Sequence, residues 1–187
     1  MKLNVARTAS RSAANGPGER FVVWAQGCPL ACPGCWNPDT WSFERRVLRD
    51  VDELAAEILS VDGIEGVTFT GGEPFAQARA LAQLGRTVRS SRLSVFVFTG
   101  YELEALSSEP ARELLAVADV LVTGPYIRAT RSLDIPWRGS SNQQVHFLTD
   151  RYGPSSMRDS SSLEIWINDH GTISLSGFPG REWLEDP

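Results

Sequence analysis

Four apolar stretches of this chain each run straight into glycine: FVVWAQG (21–27), GVTFTGG (66–72), LSVFVFTG (93–100) and DVLVTG (119–124). Short continuous runs of β-branched and aromatic residues, closed by a glycine turn, read as strands buried on both faces. The segments between them carry a helical period. Asp50 is a good N-cap, Glu53 completes a capping box, and Val51, Leu54, Ala55, Ile58 and Leu59 fall on one stripe. Ala78, Leu81, Ala82, Gly85 and Val88 mark a second helix, and Pro110 fits the first turn of a third, PARELLAVA. Apolar strands alternating with amphipathic helices imply a parallel sheet, because parallel neighbours need a crossover connection.

The flanks are less regular. SRSAANGPGE (10–19) is a polar, turn-rich lead-in, with Gly16-Pro17-Gly18 as a turn. After Tyr126 the pattern loosens into a long ordered loop over 128–144, followed by a short strand, VHFLT. Residues 150–162 resemble a linker, and LEIWINDHGTISLSGF alternates apolar and polar residues around Asn168-Asp169-His170-Gly171, which reads as a β-hairpin. The expected organisation is one domain over 1–148, with 149–187 forming a linker and a hairpin extension packed on it. At 187 residues one sizeable core suffices.

The net charge of −5 speaks against a partner bound by neutralising phosphates, so no nucleic acid is expected. The basic residues are almost all Arg, with Lys2 the only lysine, which reads as base composition and not as a binding surface. No apolar run approaches the roughly 20 residues of a membrane span. The first residues lack the apolar core of a secretory signal. The expected location is the reducing cytoplasm, with no membrane partner.

Cys28, Cys32 and Cys35 are the only cysteines, spaced C-x3-C-x2-C in CPLACPGCW. An odd number cannot pair off into disulfides. Tetrahedral zinc would want a fourth ligand, and the candidates, His146 and His170, lie more than a hundred residues away. A redox dithiol at Cys32-Pro33-Gly34-Cys35 would leave Cys28 without a role. The spacing favours a [4Fe-4S] cluster with three protein ligands, whose fourth iron is open to a small molecule. A second group, Thr70-Gly71-Gly72-Glu73-Pro74, follows a predicted strand; its glycines let backbone approach a ligand and Glu73 can accept from an ammonium.

The C-x3-C-x2-C motif resembles the signature of the radical S-adenosylmethionine superfamily. NGPGERFVVWAQGCPLACPGCWNPDTW (15–41), FTGYELEAL (98–106), DVLVTGPYI (119–127) and WRGSSNQQV (137–145) are similar, in the same order, to blocks of the glycyl-radical enzyme activating enzymes. Within those, the likeness is to the activating proteins of anaerobic ribonucleoside-triphosphate reductases. It covers roughly residues 1–148. The resemblance implies that S-adenosyl-L-methionine chelates the open iron and is reductively cleaved to a 5′-deoxyadenosyl radical, which takes hydrogen from a glycine Cα of a partner enzyme. It implies reduced flavodoxin or ferredoxin as electron donor, and no catalytic side chain beyond the cluster.

The resemblance assigns Glu73, with Gly71 and Gly72, to the methionine amino group. Thr99 reads as a cofactor contact or a plain turn, and Arg138 and Ser140, with Ser141 and Asn142, as cofactor or partner contacts or a self-bonded loop. Gly34 stands where many members carry an aromatic near the adenine; Trp36 either supplies that contact or packs in the core. Thr123 stands where the family usually has a second Asp, and Asp119 begins a strand. His146 and His170 are expected to be structural or solvent-exposed.

The expected fold is α/β, a partial, open parallel βα barrel of about five or six strands with a C-terminal β-hairpin extension, since a full eight-stranded barrel needs about 250 residues. The competing functions are a radical S-adenosylmethionine enzyme acting on a peptide or small metabolite, and a non-enzymatic iron–sulfur electron-transfer module.

Overall fold

The computed structural model describes residues 1–132, 135–157, 163–167, 171 and 173–177. Asn168, Asp169 and His170 of the expected hairpin turn, residues 158–162 of the linker, and Trp183 lie outside the described residues. Seven strands form one sheet: β1 (Lys2–Ser12), β2 (Arg20–Ala25), β3 (Val47–Asp50), β4 (Gly66–Gly71), β5 (Ser94–Phe98), β6 (Val120–Thr123) and β7 (Gln144–Phe147). Their spatial order is β3-β1-β2-β4-β5-β6-β7. The four glycine-ended strands β2, β4, β5 and β6 are its parallel centre. Antiparallel strands finish both sides, β1 and β3 on one and β7 on the other. The result is an open, partial βα barrel of seven strands, with a separate antiparallel hairpin, β8 (Leu163–Ile167) and β9 (Ile173–Gly177).

The helices follow the predicted stripes except at Leu59, which ends the first helix exposed while Val51, Leu54, Ala55 and Ile58 are buried. In α1 (Val51–Leu59) the Asp50 side chain caps the first turn by accepting from the Asp52 N–H. In α3 (Glu109–Leu115) Ser108 caps the Ala111 N–H and Pro110 sits in the first turn, where its missing N–H costs nothing. In α2 (Ala78–Ser90) a Cβ on Gly85 would meet Val117 Cγ2 at 2.7 Å, so the glycine allows the close approach to the turn after α3. The three helices cover one face of the sheet, where Phe21, Val23, Val67, Phe69, Val95, Val97 and Leu121 point. None is long and apolar enough to cross a membrane.

The other face carries the alternate residues. Trp137 plugs it, edge-on to Phe96 with ring centroids 5.3 Å apart. Trp166 of the hairpin packs against Ala6, Val22 and Trp24 on the same face. Glu164 accepts from Ser12 Oγ and from the Ala13 N–H, and Asn15 Nδ2 donates to Ser176 Oγ at 2.7 Å.

β1 is the main departure from expectation, because its last residues fall in the segment read as a polar lead-in. Its register shifts between Val5 and Arg7 and again between Ala9 and Ser12. Bulges of this kind break the two-residue alternation that would otherwise mark a strand.

Candidate active site

The cysteine loop leaves β2 and is stitched down on both sides. Gly27 N–H donates to Thr40 O at 2.8 Å and Cys28 N–H to Trp41 O at 3.0 Å. From the turn after β4, Gly72 N–H donates to Ala25 O at 2.8 Å and Glu73 N–H to Gly27 O at 2.9 Å. Gly71 has φ +98°, and a Cβ there would lie 2.7 Å from Trp24 Cα; one on Gly72 would lie 2.4 Å from Gly27 O. Both contacts are with backbone, so only glycine permits this approach. The two sequence motifs are thus one structural unit.

Within the loop, Cys35 N–H donates to Cys32 O at 3.0 Å, closing a turn with Pro33 and Gly34 at its centre. Pro followed by a left-handed Gly is the type II pattern, and Gly34 has φ +79°. A Cβ on Gly34 would meet Arg128 Cδ at 3.2 Å, so the space beside it is already filled. Cys35 Sγ accepts from the Asn37 N–H at 3.4 Å. All three cysteines are free and partly buried. Burial pushes the Cys28 thiol up, the N–H groups of Ala31 and Leu30 pull it down, and the Glu73 charge adds to the rise.

This donor set fits an iron–sulfur cluster. Three thiols on one pinned loop supply the soft ligands that such clusters take, each on its own iron. Among the described residues no group of His, Cys, Asp or Glu is arranged to hold a single metal ion. His146, a candidate zinc ligand, has Nε2 within 2.9 Å of Thr123 Oγ1, so strand pairing explains both residues.

Glu73 is 1% exposed. Its carboxylate accepts from Phe75 N–H at 2.9 Å, Thr99 Oγ1 at 2.8 Å and Gly100 N–H at 2.9 Å. Burial outweighs these bonds and pushes its pKa up to about 7. Leu30 of the cysteine loop packs close to Gly100, beside this carboxylate. Thr99 is therefore joined to the predicted site through Glu73. Asp119 lies at the start of β6, where its carboxylate accepts from Val95 N–H and Thr149 Oγ1 and pairs with Arg89 at 3.3 Å; it holds strands together.

The WRGSSNQ segment is largely bonded to itself. Ser140 is fully buried and its Oγ accepts from Ile127 N–H at 3.2 Å. Gln143 accepts from Gly139 and Ser140 N–H groups and donates to Gly124 O, and Arg138 donates to Gln143 O at 3.4 Å.

A cavity of about 310 Å³ opens on the inner face of the sheet, beside the cysteine loop. Trp36 lines it, with the Arg131 guanidinium 4.5 Å from its ring centroid. Of the residues predicted for cofactor or metal, Trp36 alone borders this cavity; the others sit in the loops around it. Sequence reading missed Arg7, Trp24 and Asn37 among the lining; Thr70 it had placed in the glycine motif without giving it a role. Arg7 carried no signal that would have marked it.

The model of the family described as a 4Fe-4S single cluster domain matches residues 14–146. The anaerobic ribonucleoside-triphosphate reductase-activating protein of Haemophilus influenzae is 34% identical over 140 residues, covering 71% of this chain and 90% of that protein. The protein of the same name from phage T4 is 35% identical over 143 residues, covering 73% and 88%. That from Vibrio cholerae is 33% identical over 143 residues, covering 72% and 92%. Among solved structures, QueE from Escherichia coli matches with a TM-score of 0.46 at 18% identity, covering 54% of this chain and 53% of that one. With its three-cysteine loop locked to the glycine turn of Glu73, and with relatives that match along nearly their whole length, the chain belongs to the radical S-adenosylmethionine superfamily, in the family of anaerobic ribonucleoside-triphosphate reductase-activating proteins.

Proposed function

We propose that this chain activates a glycyl-radical enzyme of the anaerobic ribonucleoside-triphosphate reductase type, in the cytoplasm, with reduced flavodoxin or ferredoxin as electron donor. The observation that carries the reading is the union of the cysteine loop with the Gly71-Gly72-Glu73 turn through the Gly72–Ala25 and Glu73–Gly27 backbone bonds. When bound, the [4Fe-4S] cluster supplies the electron that cleaves S-adenosylmethionine, and the resulting 5′-deoxyadenosyl radical takes a hydrogen atom from a glycine Cα of the partner. Cys28, Cys32 and Cys35 hold the cluster. Glu73 receives the methionine ammonium: its carboxylate has about four acceptor sites, and protein donors take three of them. Holding an ammonium there favours the ionised form of a carboxyl that burial otherwise keeps half-protonated near neutrality. Trp36 lies at the cavity wall, where its ring can pack on the adenine.

The test is anaerobic reconstitution followed by reduction in the presence of S-adenosylmethionine. Release of 5′-deoxyadenosine is expected, and is expected to be lost in Cys32→Ala. Adding an anaerobic ribonucleotide reductase should give the paramagnetic doublet of a glycyl radical. Release without that doublet would favour a peptide or small-metabolite substrate, and no release from a fully loaded cluster would leave only an electron-transfer module.

A further inference from the structure

One short turn after β6 covers the residues on both sides of Cys35. The turn Arg128–Thr130 lays the stem of Arg128 along Gly34: a Cβ on Gly34 would lie 3.2 Å from Arg128 Cδ and 3.6 Å from its Cβ and Cγ. Three residues on, the Arg131 guanidinium stacks on the Trp36 ring, 4.5 Å from its centroid. The two contacts bracket Cys35, whose N–H closes the turn onto Cys32 O.

The covering turn is braced from behind. Ile127 N–H donates to Ser140 Oγ at 3.2 Å, Ser141 N–H donates to Thr130 O at 2.7 Å, and Thr130 Oγ1 donates to Asn142 Oδ1 at 2.9 Å. Arg131 pairs with Ser140 as a single β-bridge. The WRGSSNQ segment thereby holds the turn against the cysteine loop, and the backbone origin of the Arg128 side chain is fixed although the side chain itself is exposed.

Arginines elsewhere on the surface, such as Arg49, Arg79 and Arg86, are held in ion pairs. Among the described residues the Arg128 guanidinium has no ion pair and no hydrogen bond. Asp39, the carboxylate of the cysteine loop, is shared by Arg7 and Arg46 and so does not offset it. Arg128 thus places an uncompensated positive charge on the turn that carries two of the three thiols. A [4Fe-4S] centre with three thiolates carries net negative charge, which grows by one unit on reduction, and its potential responds to the charge around it. A fixed cation at the ligand turn stabilises the reduced form more than the oxidised one.

We propose that Arg128 is a positioning residue for electron entry: its unpaired guanidinium, seated on the Cys32–Cys35 turn, favours the one-electron-reduced cluster. The electron is the one that the donor of the proposed reaction supplies, and Arg128 itself exchanges neither electron nor proton. The assignment rests on the cluster reading above and is independent of which partner the radical is passed to.

The test is a redox titration of the full chain, reconstituted anaerobically without S-adenosylmethionine or partner, with the paramagnetic signal of the reduced cluster followed against potential. Arg128→Gln should lower the reduced-to-oxidised ratio at a given potential about threefold, which is about 30 mV at about 59 mV per tenfold for one electron. Arg128→Glu should lower it about tenfold, and Arg128→Lys should keep the parent value. The differences should shrink as salt is raised, because the guanidinium is exposed. Iron and sulfide per chain judge the cluster reading, and potentials compared at equal content judge Arg128. The proposal is overturned if all three variants keep the parent potential. It is overturned too if Lys lowers the potential as much as Gln, since packing on Gly34 and not charge would then be at work. Loss of the cluster from both the Gln and the Lys variants would likewise make Arg128 a packing residue only.

Discussion

Arg20 and Glu73 are both ionisable, both at most 1% exposed, and sit at opposite ends of the parallel strands. Arg20 opens β2. Its Nε donates to Thr68 Oγ1, one terminal nitrogen to Pro17 O and Ser94 Oγ, and the other to Val67 O and Ser94 O. A guanidinium has five N–H donors, so its capacity is filled. Glu73, after β4, has three donors for about four acceptor sites. The Arg20 guanidinium thus has no donor left over, whereas the Glu73 carboxylate keeps the acceptor capacity that the proposed ammonium contact requires. Burial weakens the charged form of both, lowering the pKa of Arg20 and raising that of Glu73 to about 7.

The largest effect is expected at Arg20. Arg20→Ala removes five buried hydrogen bonds to neutral hydroxyls and carbonyls and leaves a cavity in their place, and should cost about 3–5 kcal/mol in denaturant unfolding. A loss under about 1 kcal/mol would mean that its five bonds are not what holds that end of the sheet.

Glu73 should instead show itself through pH. Its folded-state pKa of about 7 lies above the ordinary 4.5, so the folded chain holds the proton more tightly than the unfolded one. The stability from this difference is fully present below the unfolded pKa and is lost as pH rises through about 7. The swing is about 3 kcal/mol. Urea melts of the cluster-free protein between pH 4 and 8 should show it, and Glu73→Gln should flatten it. A flat profile in the parent chain would mean that the three donors outweigh burial and keep the carboxylate ionised.

The contrast between these residues also marks how far the sequence could be read. The parallel strands were legible because burial on both faces leaves continuous runs such as FVVWA, and the cysteine and glycine motifs because their spacing is local. Arg20 was invisible: a lone arginine before an apolar run looks like a solvated strand end, and all its acceptors but Pro17 O lie 47 to 74 residues away. The bond between Thr99 and Glu73 spans 26 residues and exists because β4 and β5 are parallel neighbours ending side by side. Gly34 was read against a missing aromatic, but its φ of +79° also suits the turn that Cys35 N–H closes onto Cys32 O, a local constraint the spacing of the cysteines did not announce. The bulges in β1 hid both the strand and Arg7.

A smaller effect is expected at Thr99. Its hydroxyl donates to Glu73 and accepts from the Tyr101 N–H at 3.1 Å. Thr99→Val leaves Glu73 with two donors and should cost about 1 kcal/mol of stability, the usual net worth of one hydrogen bond. S-adenosylmethionine affinity should fall severalfold, with Thr99→Ser restoring it. If Thr99 touches the cofactor directly, Val should weaken binding without altering the pH profile assigned to Glu73.

The smallest effect belongs to Gly34. Its φ of +79° strains any side chain, and the Cβ of an alanine would press on Arg128 Cδ at 3.2 Å. That neighbour is a flexible side chain and can give way, so what remains is the backbone cost of about 1 kcal/mol. For a chain of this size that is a fall of about 2–4 °C in Tm. Cluster content, measured as iron and sulfide per chain, should be unchanged in Gly34→Ala, since the Cys32–Cys35 turn still closes. A variant that keeps its Tm but binds S-adenosylmethionine poorly would reverse the assignment: Gly34 would then belong with Glu73, as a position kept clear for the ligand, and not with Arg20, as a position fixed by the fold.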